Sequence, residues 1–144
     1  MTSAGRQAVY AMLAVAGLVA TWYFNLQFMK ESGGTLGVVD FVRGGYANSA
    51  ASSLTNDLLV GTLAFFLFSF AEARRLAMRH WWVFPVLTFV VAFACAFPLF
   101  LLAREVRLVS PPPEEADRGL RPVDVAVIAV GVAFAAVLDC WMLT

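Results

Sequence analysis

The sequence predicts an all-α integral membrane protein, a bundle of four transmembrane helices in one domain of residues 1–144. Two observations predict this class. The chain is 61% hydrophobic and only 14% charged, which is too apolar for a soluble domain of this size. It also contains four strongly apolar stretches without Asp, Glu, Lys or Arg. We therefore predict helices over residues 7–29, 53–73, 81–103 and 123–143.

The first and third predicted helices rest on the longest uncharged runs, 7–29 and 80–103, which exceed the roughly 20 residues that a spanning helix needs. We interpret the first as a permanent span rather than a cleaved signal peptide, because its apolar run is too long for an h-region. The runs 58–71 and 125–138 are shorter. The second and fourth helices are therefore extended into their flanking residues.

The connections divide the chain further. Residues 30–56 contain five glycines and predict a loop that touches the membrane surface. Residues 106–122 predict a stiff, solvent-exposed linker because of their proline run. The chain thus reads as a three-helix core of residues 8–105, a proline-rich linker, and a fourth helix within 123–144.

The charges bear on partners and on orientation. Ten Lys and Arg residues balance ten Asp and Glu residues, and the scattered basic side chains do not favour nucleic acid as a partner. If the helices alternate, the amino terminus and the turn 74–79 share a side with four basic residues, against six on the other. The positive-inside rule opposes that count. The density of arginines in the turn still leads us to predict that its side is cytoplasmic, in a bacterial inner membrane.

Alternating helices bring polar residues together at one membrane interface. We predict a cluster there of Asn25, Gln27, Asp57, Arg104 and Asp124. Asp57 and Asp124 also fit a capping role, because each lies in the first turn of its predicted helix, where the helix dipole favours a carboxylate. We further predict that Asp57 approaches Arg104, since an unpaired charge at partial membrane depth is costly.

The opposite interface receives a second polar group, made of Glu72, Arg75, Arg79, His80 and Asp139. The spacing of Glu72 and Arg75 favours an ion pair along one helix. Asp139 lies near a helix carboxyl terminus, where the dipole opposes a carboxylate, and it has no basic neighbour in sequence. Snorkelling to the interface is the simplest interpretation of that residue.

No catalytic residue and no metal site is predicted. His80 is the only histidine, which excludes a bis-histidine haem within one chain, and no nucleophile–base spacing or phosphate loop occurs. Cys95 and Cys140 lie in apolar runs and are predicted to be free. No cofactor is identified, and the candidates are a bound lipid, a carotenoid or another pigment.

Two helices carry patterns that suit contact with other molecules. The fourth helix has small residues at steps of three and four, a pattern that permits close helix packing in lipid. They are Ala126, Ala129, Ala133, Ala136 and Cys140. The second helix displays four phenylalanine rings, which are expected to face lipid, a partner, or an isoprenoid or pigment. They are Phe65, Phe66, Phe68 and Phe70.

Four segments carry a family resemblance. They are the aromatic end of helix one (24–29), the Asp-Leu-Leu opening of helix two (57–59), the Glu-x-x-Arg-Leu-x-Met-Arg turn (72–79), and the end of helix three (98–105). Across about residues 8–105 the chain resembles a family of small bacterial membrane proteins catalogued as domain of unknown function 2834. The resemblance implies a three-helix core and no known activity. Residues 106–144 are an addition to that pattern.

The functional hypothesis is a non-enzymatic membrane subunit or accessory protein. We expect it to contact the lipid bilayer and to pack against other membrane proteins or further copies of itself. The alternatives are an intramembrane enzyme acting on a lipid or isoprenoid, with Asp57 or Glu72 as the acid, and a small transporter whose carboxylates line a water-filled path.

Overall fold

The computed structural model describes residues 2–34, 36–109 and 121–143. Every regular element among them is helical, which confirms the predicted all-α class. The elements are α1 (Ser3–Glu31), α2 (Val38–Gly44), α3 (Ser49–Arg75), α4 (Val83–Val90), α5 (Phe93–Val109) and α6 (Pro122–Leu143). Three of them, α1, α3 and α6, are long and apolar enough to cross a membrane. Most of the predicted linker, residues 110–120, lies outside the described residues.

The third predicted span, 81–103, is not one helix. It is divided into α4 and α5, and the two halves fold back on each other as a hairpin. The ring centroids of Phe84 and Phe100 are only 5.2 Å apart, whereas sixteen residues of continuous helix would separate them by about 24 Å. Both ends of the hairpin therefore lie at the same end of the bundle, and the prediction of four alternating spans is wrong at this element.

The hairpin tip lies at Val91 and Ala92, where the helical hydrogen-bond pattern fails. The amide of Ala92 donates to the carbonyl of Leu87 at 3.1 Å, and the amide of Cys95 donates to the carbonyl of Ala92 at 3.2 Å. The carbonyl of Val91 accepts instead from the indole Nε1 of Trp22, at 3.2 Å. A backbone carbonyl in apolar surroundings needs such a partner. Trp22 therefore joins the hairpin tip to α1 through a hydrogen bond. Tryptophan near the end of a span is otherwise expected to lie at the membrane interface.

Next to the tip, at the start of α5, α1 and α5 approach each other very closely. A Cβ atom added to Gly17 would lie 2.2 Å from the carbonyl oxygen of Ala94, so only glycine fits at this crossing. Pro98, inside α5, has no N–H to donate to that same carbonyl four residues earlier. Gly17 of α1 therefore packs against the Ala94 carbonyl, which accepts no helical hydrogen bond from Pro98.

An aromatic core joins the hairpin to α3. Phe100 is fully buried and its ring contacts Phe65, Phe68 and Phe84 at centroid distances of 5.2–5.7 Å. Edge-to-face pairs of this kind each contribute roughly 0.5–1.5 kcal/mol beyond burial alone. The expectation that the rings of this helix face outward is therefore wrong for Phe65, Phe66 and Phe70, which are buried within the chain, because the hairpin packs against them. Phe68 remains partly exposed.

The remaining helices complete the bundle. Asn48 caps α3 by accepting from the amide of Ala51 at 2.9 Å, so α3 begins four residues earlier than predicted and Asp57 lies outside its first turn. The glycine-containing loop holds the short helix α2, whose Phe41 ring packs edge-on against Phe28 of α1. On the other side of α3, α6 approaches through Gly131, where an added Cβ would lie 2.5 Å from the Leu63 side chain.

Candidate functional site

Most basic side chains lie at one end of the bundle, which we call the basic face. It contains the amino-terminal end of α1, the carboxyl-terminal end of α3, both ends of the hairpin and the start of α6. Two of the nine described Lys and Arg residues, Lys30 and Arg43, lie at the other end. The seven on the basic face are Arg6, Arg74, Arg75, Arg79, Arg104, Arg107 and Arg121.

Glu72 is the centre of an ion-pair network on the basic face. Its carboxylate is buried and accepts from Arg75, whose Nε and Nη2 each lie 2.6 Å from a separate oxygen. Arg104 of α5 donates to it from Nε, also at 2.6 Å. The predicted pairing of Glu72 with Arg75 along one helix is therefore present, and Arg104 extends it from α3 to the hairpin.

The network continues from the hairpin to α1. Glu105 is buried and lies 3.9 Å from the Nη1 of Arg104. Its other oxygen accepts from Arg6 of α1 at 3.0 Å. The hydrogen bond from Arg6 and the nearby charge of Arg104 both stabilise the charged form of this carboxylate. One chain of charges therefore links three helices that are distant in sequence.

A second ion pair joins α3 to α6. Arg74 donates to both carboxylate oxygens of Asp124, with Nη2 lying 2.6 Å from Oδ1. Asp124 also accepts from the backbone amide of Arg121 at 2.8 Å, as a carboxylate in a first helical turn does. The first-turn position predicted for Asp124 is confirmed, and its guanidinium partner is an addition that the sequence did not suggest.

These contacts change the predicted division of polar residues between the two membrane faces. Arg104 and Asp124, which were expected beside Asp57, lie with Glu72 on the basic face. The predicted approach of Arg104 to Asp57 is wrong for the same reason. Because the hairpin returns to the side where it began, the two ends of α6 lie at the opposite faces from those predicted for alternating spans.

Asp139 was predicted at the same interface as Glu72, but it lies at the opposite end of the bundle. It lies near the end of α6 away from the basic face, and its Oδ1 accepts from the hydroxyl of Tyr46 at 2.6 Å. Tyr46 follows α2 in the loop between α1 and α3. Burial of the Tyr46 hydroxyl, together with its hydrogen bond to Asp139 and the charge of that carboxylate, raises the pKa of Tyr46 to about 12. Asp139 therefore has a neutral donor rather than a basic partner.

The other predicted site residues divide in the same way. Asn25 and Gln27 are half-buried near the carboxyl-terminal end of α1. Asp57 is exposed in the amino-terminal half of α3, away from the basic face. Arg79 and His80 are exposed on the basic face, beside the hairpin. On α6 the small residues form one exposed side of the helix, which we call the small-residue face: Ala126, Ala129, Ala133 and Ala136.

The chemistry available at these positions is that of ion pairing and packing. Within the described residues, no group of three or more His, Cys, Asp or Glu side chains is placed to hold a metal ion. Glu72 already accepts from two arginines, an arrangement that stabilises a carboxylate rather than a proton donor. Cys95 is a buried free thiol, and Cys140 is exposed.

Sequence reasoning missed Arg6, Glu105, Arg74 and Tyr46 as partners. The available signal was the pair of adjacent charges at 104 and 105, which follows an apolar run and so requires partners at membrane depth. Their partners are far away in sequence, at separations of 32 and 99 residues. Rules based on residue spacing within one helix predict contacts three or four residues apart and cannot predict contacts over such separations.

Comparison with known proteins identifies a family but no individual relative. Neither the curated proteins nor the solved structures contain a match to this chain. A family described as Protein of unknown function DUF2834 matches residues 9–106. The matched segment begins in α1, includes the whole hairpin core as far as Glu105, and ends before α6. The chain therefore belongs to the DUF2834 family, with α6 lying beyond the family's domain.

Proposed function

We propose that this protein is a non-enzymatic membrane subunit that assembles with other membrane proteins or with copies of itself through the small-residue face of α6. The observation that carries the proposal is the position of α6 in the bundle. One side of the helix, including Ile128 and Gly131, packs against α3. The small-residue face is exposed.

The chemistry of lipid-embedded helices supports this assignment. Helices in lipid gain little from the hydrophobic effect when they associate, so small side chains matter because they allow close backbone contact. Alanines at positions 126, 129, 133 and 136 form a shallow, continuous surface of that kind. The two tight crossings inside the chain already use Gly17 and Gly131 in the same way. A second helix seated on the small-residue face would extend this mode of packing beyond the chain.

The charged residues support a structural role more than a catalytic one. Glu72, Glu105 and Asp124 each accept from at least one arginine and join different helices. Such pairs hold the spans and the hairpin in register. We propose that the basic face lies on the cytoplasmic side of a bacterial inner membrane. Seven described basic residues lie on that face and two on the other, as the positive-inside rule requires.

The test is a pair of alanine substitutions with a matched control. Ala129→Leu with Ala133→Leu adds bulk to the small-residue face. Ala16→Leu with Ala20→Leu adds the same bulk, at the same spacing, to exposed positions of α1. In a mild-detergent purification from native expression, we expect the α6 variant to lose its stoichiometric assembly while the α1 variant keeps it.

Two results would contradict the proposal. One is an unmodified protein that purifies as a monomer and turns over a lipid substrate. The other is an α6 variant whose assembly state equals that of the α1 control. Because positions 129 and 133 are exposed in the single chain, folding of the chain itself is expected to tolerate the larger side chains. Thermal unfolding of both variants checks that expectation.

A further inference from the structure

A cleft of about 220 Å³ opens on the basic face beside the hairpin. It lies between the connection from α3 to α4 and the carboxyl-terminal half of α5. Three of its lining residues are basic or ionisable, and four are apolar: Arg79, His80 and Arg107, with Met78, Val83, Phe84 and Ala103. The cleft therefore has a cationic rim and an apolar wall.

The rim is available to an external anion. Arg79, His80 and Arg107 are all exposed. Among the described residues, no carboxylate lies within 4.0 Å of the guanidinium of Arg79 or Arg107. This distinguishes them from Arg75 and Arg104, which are committed to Glu72. Two guanidinium groups that make no ion pair within residues 2–34, 36–109 and 121–143 lie beside one cleft. They suit a phosphate group, whose oxygens accept pairs of N–H donors.

The wall of the cleft leads into the membrane. Val83 lines the cleft, and Val86 and Val90 follow it at steps of three and seven along α4, so they lie on the same side of that helix. Both are largely exposed, at 47% and 67%. A continuous apolar strip thus runs from the cationic rim towards the hairpin tip. A free phosphate ion would make no use of this strip, whereas an acyl chain would.

We propose that the cleft binds an anionic phospholipid, with the headgroup phosphate held by Arg79 and Arg107 and one acyl chain lying along Val83, Val86 and Val90. The charge of the rim selects an anionic over a zwitterionic headgroup, because basic pockets at the cytoplasmic membrane surface attract negatively charged lipids. This site lies on the hairpin, away from the small-residue face of α6. It stands independently of the proposed assembly.

The experiment uses the full chain purified in a neutral detergent. Its thermal unfolding midpoint is followed while phosphatidylglycerol, phosphatidylcholine with the same acyl chains, or inorganic phosphate is added. We expect phosphatidylglycerol to raise the midpoint in a saturable way, and the other two to leave it unchanged. Equal shifts with both lipids, or a shift with inorganic phosphate alone, would overturn the assignment of an anionic phospholipid.

Variants locate the site. Arg79→Gln with Arg107→Gln should raise the half-saturating concentration of phosphatidylglycerol roughly tenfold or more. Arg43→Gln with Lys30→Gln removes the same charge from the opposite end and should leave the binding curve unchanged. Because Arg79 and Arg107 are exposed and make no ion pair among the described residues, the double variant should fold normally. Equal weakening by both double variants would show diffuse charge attraction and refute the site.

Discussion

At the scale of single residues, buried charges are the feature that organises this protein. Glu72, Glu105 and Asp124 are 2–8% exposed, and each lies in a helix made mostly of apolar residues. A carboxylate in that position is tolerated when charged hydrogen bonds replace its hydration. The arginines of neighbouring helices supply those bonds. Each of these three buried carboxylates therefore marks a contact between two helices.

The contact between Glu72 and Arg104 is testable with a double-mutant cycle. Glu72→Gln and Arg104→Gln should each lower the free energy of unfolding, by about 1.5–3 kcal/mol for lost hydrogen bonds between charged groups. Their effects should be strongly non-additive, because they remove the same contact. Asp57→Asn combined with Arg104→Gln is the control and should be additive within about 0.5 kcal/mol. Denaturation in mixed micelles measures both cycles, and coupling in the control alone would mean the pairing is misassigned.

Tyr46 gives a prediction about pH. Its pKa is raised from 10.0 to about 12, so the folded state favours the neutral phenol over the phenolate. The stability that results is fully present below about pH 10 and is lost as the pH rises through the folded-state pKa. Absorbance of the tyrosinate ion should show a titration step near pH 12 that Tyr46→Phe removes and Tyr23→Phe retains. Asp139→Asn should move that step to lower pH, and an unmoved step would exclude the contact.

At the scale of elements, the hairpin shows what the sequence could and could not predict. Hydropathy marked 81–103 as strongly apolar, because composition alone sets that signal. It did not report that the helix reverses, since Val91 and Ala92 are ordinary apolar residues and neither Gly nor Pro marks the turn. The nearest signals were Pro85, in the first turn of α4, and Pro98 inside α5. The tip is held by Trp22, a tertiary contact across 69 residues.

The crossing of α1 and α5 gives a prediction at this scale. Gly17→Ala should destabilise the protein by about 1–3 kcal/mol, the usual cost of overpacking, because the clashing group is the Ala94 backbone carbonyl. Gly131→Ala should cost less, since the Leu63 side chain it meets can change its rotamer. Gly61→Ala meets nothing within 4 Å and should be neutral or stabilising by about 0.5–1 kcal/mol. Unfolding free energies for the three variants test this order, and an equal cost at positions 17 and 61 would contradict the close crossing.

At the scale of the whole molecule, the hairpin changes how the basic residues are distributed between the two faces. Four alternating spans place four basic residues on the side of the 74–79 turn and six on the other, against the positive-inside rule. The hairpin keeps the end of α5 and the start of α6 on that same side. The described count becomes seven against two. The residues that decide orientation were visible in the sequence, but their distribution between the faces depends on the reversal at Val91 and Ala92.

The membrane topology therefore carries the last prediction. Three spanning helices and one hairpin place Ser3, Val109 and Arg121 on the basic face, which we propose is cytoplasmic, and Leu143 at the other end. Four alternating spans would place the two ends of the chain on one side instead. We expect green fluorescent protein joined to the carboxyl terminus to be dark and alkaline phosphatase at that position to be active. The same reporters inserted between residues 112 and 113 should give the opposite pattern, since that connection joins two elements on the basic face. A fluorescent carboxyl-terminal fusion and an active phosphatase at 112, with an inactive phosphatase at the amino terminus, would show that the third apolar segment crosses the membrane after all. The amino-terminal fusion separates that outcome from simple inversion of the whole protein, which would give the same pattern at the other two sites but an active amino-terminal phosphatase.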